Sequence, residues 1–244
     1  VAYRLAIDIG NSRTKFGLFE GRELMQHKAI DNDVLQKNNQ LFSAYELNSI
    51  IVSSVNESVE SDLDLEHVET KTLYLNHQTN LPIDLDYHSP ETLGKDRIAN
   101  VVAANHLYPT KNNLVIDAGT CITYDFIDNK GRYLGGSISP GVQLRLNAMN
   151  NYTDRLPLLN WDRIERPASI GKTTISSMLS GVINGIIAEM DGIIEGYSMQ
   201  YSGLQIVLTG GDANFFVKEV KNSIFADPNL VLIGLNEILI YNQQ

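Results

Sequence analysis

Apolar and polar positions fall into short blocks along this chain, and one block occurs twice. Leu5-Ala6-Ile7 is followed by Asp8-Ile9-Gly10-Asn11-Ser12, an apolar run that ends on a carboxylate and a glycine. The same order returns as Leu114-Val115-Ile116-Asp117-Ala118-Gly119-Thr120-Cys121. Asp8 and Asp117 stand 109 positions apart, and at that offset Thr14 falls on Thr123 and Leu18-Phe19 on Ile127-Asp128. An apolar run of this length suits a buried strand, and the glycine after it suits a tight turn. Each copy therefore predicts strand, turn, strand. The second strands are Lys15–Glu20 and Thr123–Ile127, closed by Gly21 and Gly131.

The rest of the pattern alternates in the same way. Ser49–Ser53 and Lys71–Leu75 read as strands, and Lys95–Leu107 as a helix with Ile98, Val101, Val102 and Leu107 at helical spacing. Pro109 to Asn113 is a polar linker and the predicted boundary. Beyond it come a strand at Leu134–Pro140, a helix at Val142–Asn150 and the longest helical pattern at Thr174–Tyr197. A strand at Gln205–Leu208 and a helix at Leu235–Tyr241 complete the chain. Alternating strands and helices make the class α/β. The internal echo predicts two related halves, 1–112 and 113–244.

Composition narrows the partners. The chain has 244 residues, 43% of them apolar, enough for a real core. Its 19 Lys+Arg against 29 Asp+Glu leave a net charge of −10. That balance argues against nucleic acid as the main partner and against an anionic membrane surface. A small anionic ligand stays possible, because a local site can be positive on an acidic protein. The single cysteine, Cys121, excludes an intrachain disulfide framework and a cysteine-rich zinc site. It reads as a small buried filler, and Trp161 as packing. No basic leader precedes the strand-like start, and Met178 to Ile194 carries Asn184, Glu189 and Asp191, too polar for a bilayer span. A soluble, cytoplasmic chain is expected.

Five segments could carry chemistry. Asp8 to Lys15 offers a carboxylate, a Gly-Asn-Ser turn and the cations Arg13 and Lys15, which suits phosphate oxygens; the plain alternative is a polar hairpin. Asp117 to Thr123 offers a second such turn with the Thr120 hydroxyl, or a structural echo without function. In Gly94-Lys95-Asp96-Arg97, Asp96 fits either a helix-start residue favoured by the dipole or a general base flanked by cations. Thr209-Gly210-Gly211-Asp212 fits a flat ligand such as adenine, or an ordinary strand-to-helix turn. Gly181, Gly185, Gly192 and Gly196 suggest a close helix contact, inside the chain or between subunits. The five histidines show no metal-ligand spacing, and no Walker sequence occurs.

Taken in order, Asp8-x-Gly10-Asn11-Ser12…Lys15, Tyr87…Gly94-x-Asp96-Arg97, Asp117-x-Gly119-Thr120, Gly135-Gly136-x-Ile138-x-Pro140-Gly141, Gly171-x-x-Thr174 and Thr209-Gly210-Gly211 resemble the type III pantothenate kinases. The resemblance spans nearly the whole chain. It implies two ribonuclease-H-like domains of the actin/sugar kinase/Hsp70-like superfamily. It implies an enzyme that uses ATP to phosphorylate pantothenate to 4'-phosphopantothenate, the first step of coenzyme A biosynthesis. By the same resemblance Asp8, Gly10, Asn11, Ser12, Lys15 and Thr120 bind ATP, with Gly210 and Gly211 placed for the adenine. Asp96 is the general base. Tyr87, Gly94, Lys95, Arg97 and Thr174 hold pantothenate, with Thr173 an open alternative to Thr174. Asp117 holds a monovalent cation, K+ or NH4+, and Mg2+ accompanies ATP. The family implies a homodimer, with the glycine-bearing helix as a contact. A different small-molecule kinase or phosphatase on the same fold, and a silent ATP-binding relative, are the competing readings.

Overall fold

The computed structural model describes residues 3–38, 45–55, 59, 70–222 and 224–243. The chain divides into two compact units. One comprises Val1–Pro109, Gly131–Tyr133 and Asn229–Gln244, and the other Thr110–Lys130 and Leu134–Pro228. The division at Pro109 falls on the polar linker. The limits otherwise differ from the sequence halves, because the C-terminal segment groups with the first unit.

The first unit is built on a five-stranded sheet. Its strands are β1 (Tyr3–Ile9), β2 (Arg13–Glu20), β3 (Glu23–Asp31), β4 (Leu47–Ser54) and β5 (Lys71–Tyr74), in the order β3-β2-β1-β4-β5. β1 runs antiparallel to β2 and parallel to β4. Leu5, Ile7, Ile9, Phe16, Leu18, Ile50 and Val52 form its core with Ile30 and Leu35. The short strand β6 (Asp84–Leu85) meets Arg132 and Tyr133 in parallel. Helix α1 (Lys95–Leu107) starts where the sequence places it, with Gly94 as N-cap, and buries every residue from Arg97 to Ala104.

The second unit repeats the plan. Its strands are β7 (Asn113–Ala118), β8 (Cys121–Ile127), β9 (Arg132–Pro140) from Leu134 onward, β10 (Gln205–Thr209) and β11 (Phe225–Ala226), ordered β11-β10-β7-β8-β9. β7 is antiparallel to β8 and parallel to β10, as β1 is to β2 and β4. Its helices are α2 (Val142–Asn151), α3 (Thr174–Gln200) and the short α4 (Ala213–Phe216). Leu114, Ile116, Ile122 and Leu208 meet Ile183, Ile186 and Met190 of α3 in one core. Although α3 is long and apolar enough on average to cross a bilayer, its buried side belongs to this core. The expectation that this stretch is too polar for a span is corrected on average composition; packing is what explains its apolar side.

The last helix, α5 (Leu230–Tyr241), packs on α1 and against β1, β2 and β4. Gly234 makes the α1 contact possible. A Cβ there would lie 1.8 Å from the Ala99 carbonyl oxygen. Arg22 and His106 both reach the buried Glu237, and Asn236 donates to the Gly21 carbonyl, so α5 is tied to the β2–β3 hairpin.

Several expectations change in detail. The apolar pattern does not mark β3, because seven of its nine residues, including Gln26, His27 and Lys28, are exposed and the strand shows no alternation. Gly21 and Gly131 both take positive φ, as a turn after each second strand requires. The echo loses one residue at the turn: Asp8 pairs across with Lys15, but Asp117 with Thr123. Lys15 and Thr123 are therefore the equivalent positions, not Thr14 and Thr123. Cys121 is only partly buried, so it is not a core filler. Trp161 is packing, edge-on to Phe215 at 4.8 Å between centroids.

Candidate active site

In open α/β sheets, ligands gather beyond the carboxyl ends of the strands. Asp8 and Asp117 stand at those ends of β1 and β7, each between a parallel and an antiparallel neighbour. Each unit thus presents a carboxylate beside a glycine turn.

In the first unit the turn is closed by Gly10 N–H donating to the Arg13 carbonyl at 3.0 Å. Asn32 holds it from one side, its amide donating to the carbonyls of Gly10 (3.0 Å) and Asn11 (3.3 Å). The Thr14 hydroxyl in turn donates to Asn32 at 2.9 Å. In a trans peptide the N–H points opposite to the C=O. With those carbonyls turned to Asn32, the N–H groups of Asn11 and Ser12 face the other way, as a phosphate cradle needs. Arg13 is taken up by Asp31 at 2.6 Å, which leaves Lys15, across from Asp8, as the turn's cation. Ser53 on β4 donates to Asp8 at 3.1 Å. The sequence offers no local signal for Asn32 or Ser53, which arrive through strand pairing.

The α1 start joins this cluster within the same unit. Lys95 donates its ammonium to the Ser54 carbonyl at 3.0 Å, next to the Ser53 that holds Asp8. Asp96 accepts from the Arg97 N–H at 2.8 Å and is not the helix cap. A Cβ on Gly94 would stand 2.6 Å from Asp96 Oδ1, so glycine there keeps space for the carboxylate. Arg97 is only 6% exposed. Tyr87 packs against Tyr133 at 5.9 Å.

In the second unit Asp117, Thr123 and Thr209 are register partners across β7, β8 and β10, so they share one face of the sheet. The hydroxyl oxygens of Thr123 and Thr209 are buried and have no hydrogen-bond partner among the described residues. One carboxylate flanked by two unsatisfied neutral oxygens suits a hard monovalent cation. Gly210, at φ 97°, lies against this carboxylate: a Cβ would be 2.5 Å from Asp117 Oδ1. At Gly211 no described residue comes within 4 Å of the corresponding position, so its backbone can be approached closely. The following residue, Asp212, is buried and paired with Arg163, whose guanidinium lies 5.6 Å over the Trp161 ring. Burial raises the Asp212 pKa, and the Arg163 pair opposes that shift.

Thr120 is exposed on its turn. Its carbonyl accepts from the Gly141 N–H at 3.0 Å. Thr173 and Thr174 part company. Thr173 is the α3 N-cap, exchanging hydrogen bonds with Ser176, while Thr174 opens the helix. Both line a pocket of about 720 Å³ with Met149, Leu156, Gly171 and Met178. The residues assigned from sequence thus form three groups. Asp8 to Lys15 stands with Lys95 and Asp96, Asp117 with Thr120, Gly210 and Gly211, and Thr174 in its own pocket.

The family profile of type III pantothenate kinase matches residues 4–196. A type III pantothenate kinase of Cytophaga hutchinsonii is 43% identical over 240 residues, covering 98% of this chain and 99% of its own. One from Phocaeicola vulgatus is 44% identical over 241 residues, covering 98% and 99%. Among solved structures, a Campylobacter jejuni protein described as a Baf family transcriptional activator aligns with a TM-score of 0.65 at 23% identity, covering 98% of each chain. The activator of 2-hydroxyisocaproyl-CoA dehydratase from Clostridium difficile, with bound ADPNP, aligns at 0.53 and 14% identity, covering 99% and 97%. At those identities the structures speak for the fold alone, an α/β fold in two units.

Proposed function

Since the chain belongs to the type III pantothenate kinase family, we propose that it transfers the γ-phosphoryl group of ATP to the terminal hydroxyl of pantothenate, giving 4'-phosphopantothenate and ADP. The observation that carries this reading is the near-full-length identity to relatives of that name.

Phosphoryl transfer is mostly positioning and charge neutralisation. In this reading the acceptor hydroxyl gives its proton to the Asp96 carboxylate while its oxygen bonds to the γ-phosphorus. The bond from that phosphorus to the β,γ-bridging oxygen breaks, and ADP leaves. The Asn11 and Ser12 N–H groups and Lys15 hold phosphate oxygens from one turn, and Thr120 from the other. Gly210 and Gly211 receive the adenine. Tyr87, Gly94, Lys95, Arg97 and Thr174 hold pantothenate. The placement of Thr173 as helix cap favours Thr174 for the substrate role. Asp8 would hold Mg2+, and Asp117 with the Thr123 and Thr209 hydroxyls the K+ or NH4+ ion. When bound, these cations offset charge on the phosphates.

We further infer a cytoplasmic homodimer. A Cβ added at Gly181, Gly185, Gly192 or Gly196 would meet no described residue of its own chain within 4 Å, so a contact inside the chain does not account for these glycines. The test of function is ADP release with and without pantothenate, in Mg2+ with K+ or NH4+. Pantothenate-dependent ADP is expected; its absence under those conditions would remove the substrate assignment.

A further inference from the structure

Three side chains outside the assigned motifs meet behind the second glycine turn. Arg145 on α2 donates Nε to the Pro140 carbonyl at 2.7 Å. Its Nη2 reaches the Ser139 hydroxyl at 2.8 Å and Glu189 Oε2 at 2.6 Å. Glu189, on α3, also accepts from the Tyr124 hydroxyl at 3.0 Å. The neighbours of Glu189 along α3, Ile186, Ile187 and Met190, are core residues, so the carboxylate stands on a fixed base.

What Arg145 holds matters more than the ion pair itself. Ser139 and Pro140 lead directly into Gly141, whose N–H donates to the Thr120 carbonyl at 3.0 Å. A Cβ on Gly141 would lie 2.2 Å from the Gly119 carbonyl oxygen and 2.6 Å from that of Thr120. The two backbones are therefore in close contact, and a shift of one moves the other. A guanidinium can serve a carbonyl, a hydroxyl and a carboxylate at once; a lysine ammonium on a flexible stem cannot hold that fork.

We propose that Arg145 and Glu189 are positioning residues for the Gly119-Thr120 turn, acting through Ser139-Pro140-Gly141 to set where Thr120 meets the nucleotide. The proposal rests on the reading of Thr120 as an ATP contact. It makes the pair a determinant of nucleotide use rather than of pantothenate binding.

The experiment compares Arg145→Lys, Glu189→Gln and Arg166→Ala with the wild type. Arg166 joins Asn184 and Glu219 in the same unit and shares no hydrogen bond with the turn among the described residues, so it reports loss of an arginine's polar contacts elsewhere in that unit. Steady-state kinetics give kcat and the KM for each substrate, equilibrium dialysis gives ATP binding, and thermal melting checks the fold. In Arg145→Lys and Glu189→Gln, kcat/KM for ATP should fall roughly tenfold while the KM for pantothenate stays within about twofold. Arg166→Ala should leave both unchanged. If the first two variants melt earlier yet keep wild-type kcat/KM and affinity for ATP, the pair is structural only and the proposal is overturned. Equal losses for both substrates would overturn it as well. A wild type without pantothenate-dependent ADP would refute the functional reading instead, and ATP binding in the variants would still decide the positioning role.

Discussion

The first turn of α1 brings together a glycine, a carboxylate and the backbone group that orients it. The dipole of a helix N-terminus favours a negative group there. Asp96 adds to this a hydrogen bond from the Arg97 N–H and the space left by Gly94. Replacing Asp96 by Asn keeps size and hydrogen bonding but removes the proton acceptor. Turnover should drop by about 10²–10⁴-fold while ATP binding and thermal melting stay near wild type. Near-wild-type turnover would remove Asp96 as the base. Gly94→Ala presses a methyl group against Asp96 Oδ1, so kcat should fall roughly tenfold with little change in ATP affinity. Residue types at Asp8, Asp96 and Asp117 are legible from the sequence because each ends or opens a patterned element. Their neighbours Asn32 and Ser53 are not, since those contacts depend on strand register between distant segments.

At the scale of elements, the α3 side chain Glu189 ties α2 and β8 to the helix. Burial alone would raise its pKa, but hydrogen bonds from Arg145, Ser139 and Tyr124 outweigh that, and the net shift is downward. A carboxylate with a depressed folded pKa contributes stability that is fully present above its unfolded pKa and is lost as pH falls through the folded value. Melting temperature followed from neutral to acid pH should therefore decline less steeply in Glu189→Gln below the ordinary glutamate range. The same slope in both proteins would show that the carboxylate's proton linkage is negligible. Strongly patterned elements such as α1 and β10 can be read almost to the residue from sequence. β3 escapes because an exposed edge strand carries no alternation, and the start of α5 at Leu230 lies in an apolar run with no helical period to mark it. The one-residue loss in the second turn is hidden, since the chance match of Thr14 with Thr123 makes a 109-residue offset fit the second strands as well.

Across the whole molecule, the four glycines of α3 leave a smooth strip on its exposed side. A Cβ at Gly185 meets no described residue of its own chain, so folding should survive a leucine there. If that strip is the dimer contact, Gly185→Leu should shift light scattering at micromolar concentration from the mass of a dimer toward the 27.2 kDa of one chain. A dimer that persists would move the contact elsewhere. The two-unit division carries a different consequence, one of timing. Residues 110–130 and 134–228 build the second unit, yet the first lacks α5 until residues 230–241 have been made. On a ribosome that interval lasts on the order of ten seconds. Throughout it, the strands of the first sheet and α1 exist without the helix that covers them. Nascent-chain protease protection of the N-terminal unit should thus appear only after Tyr241 clears the exit tunnel, while the second unit can close before it.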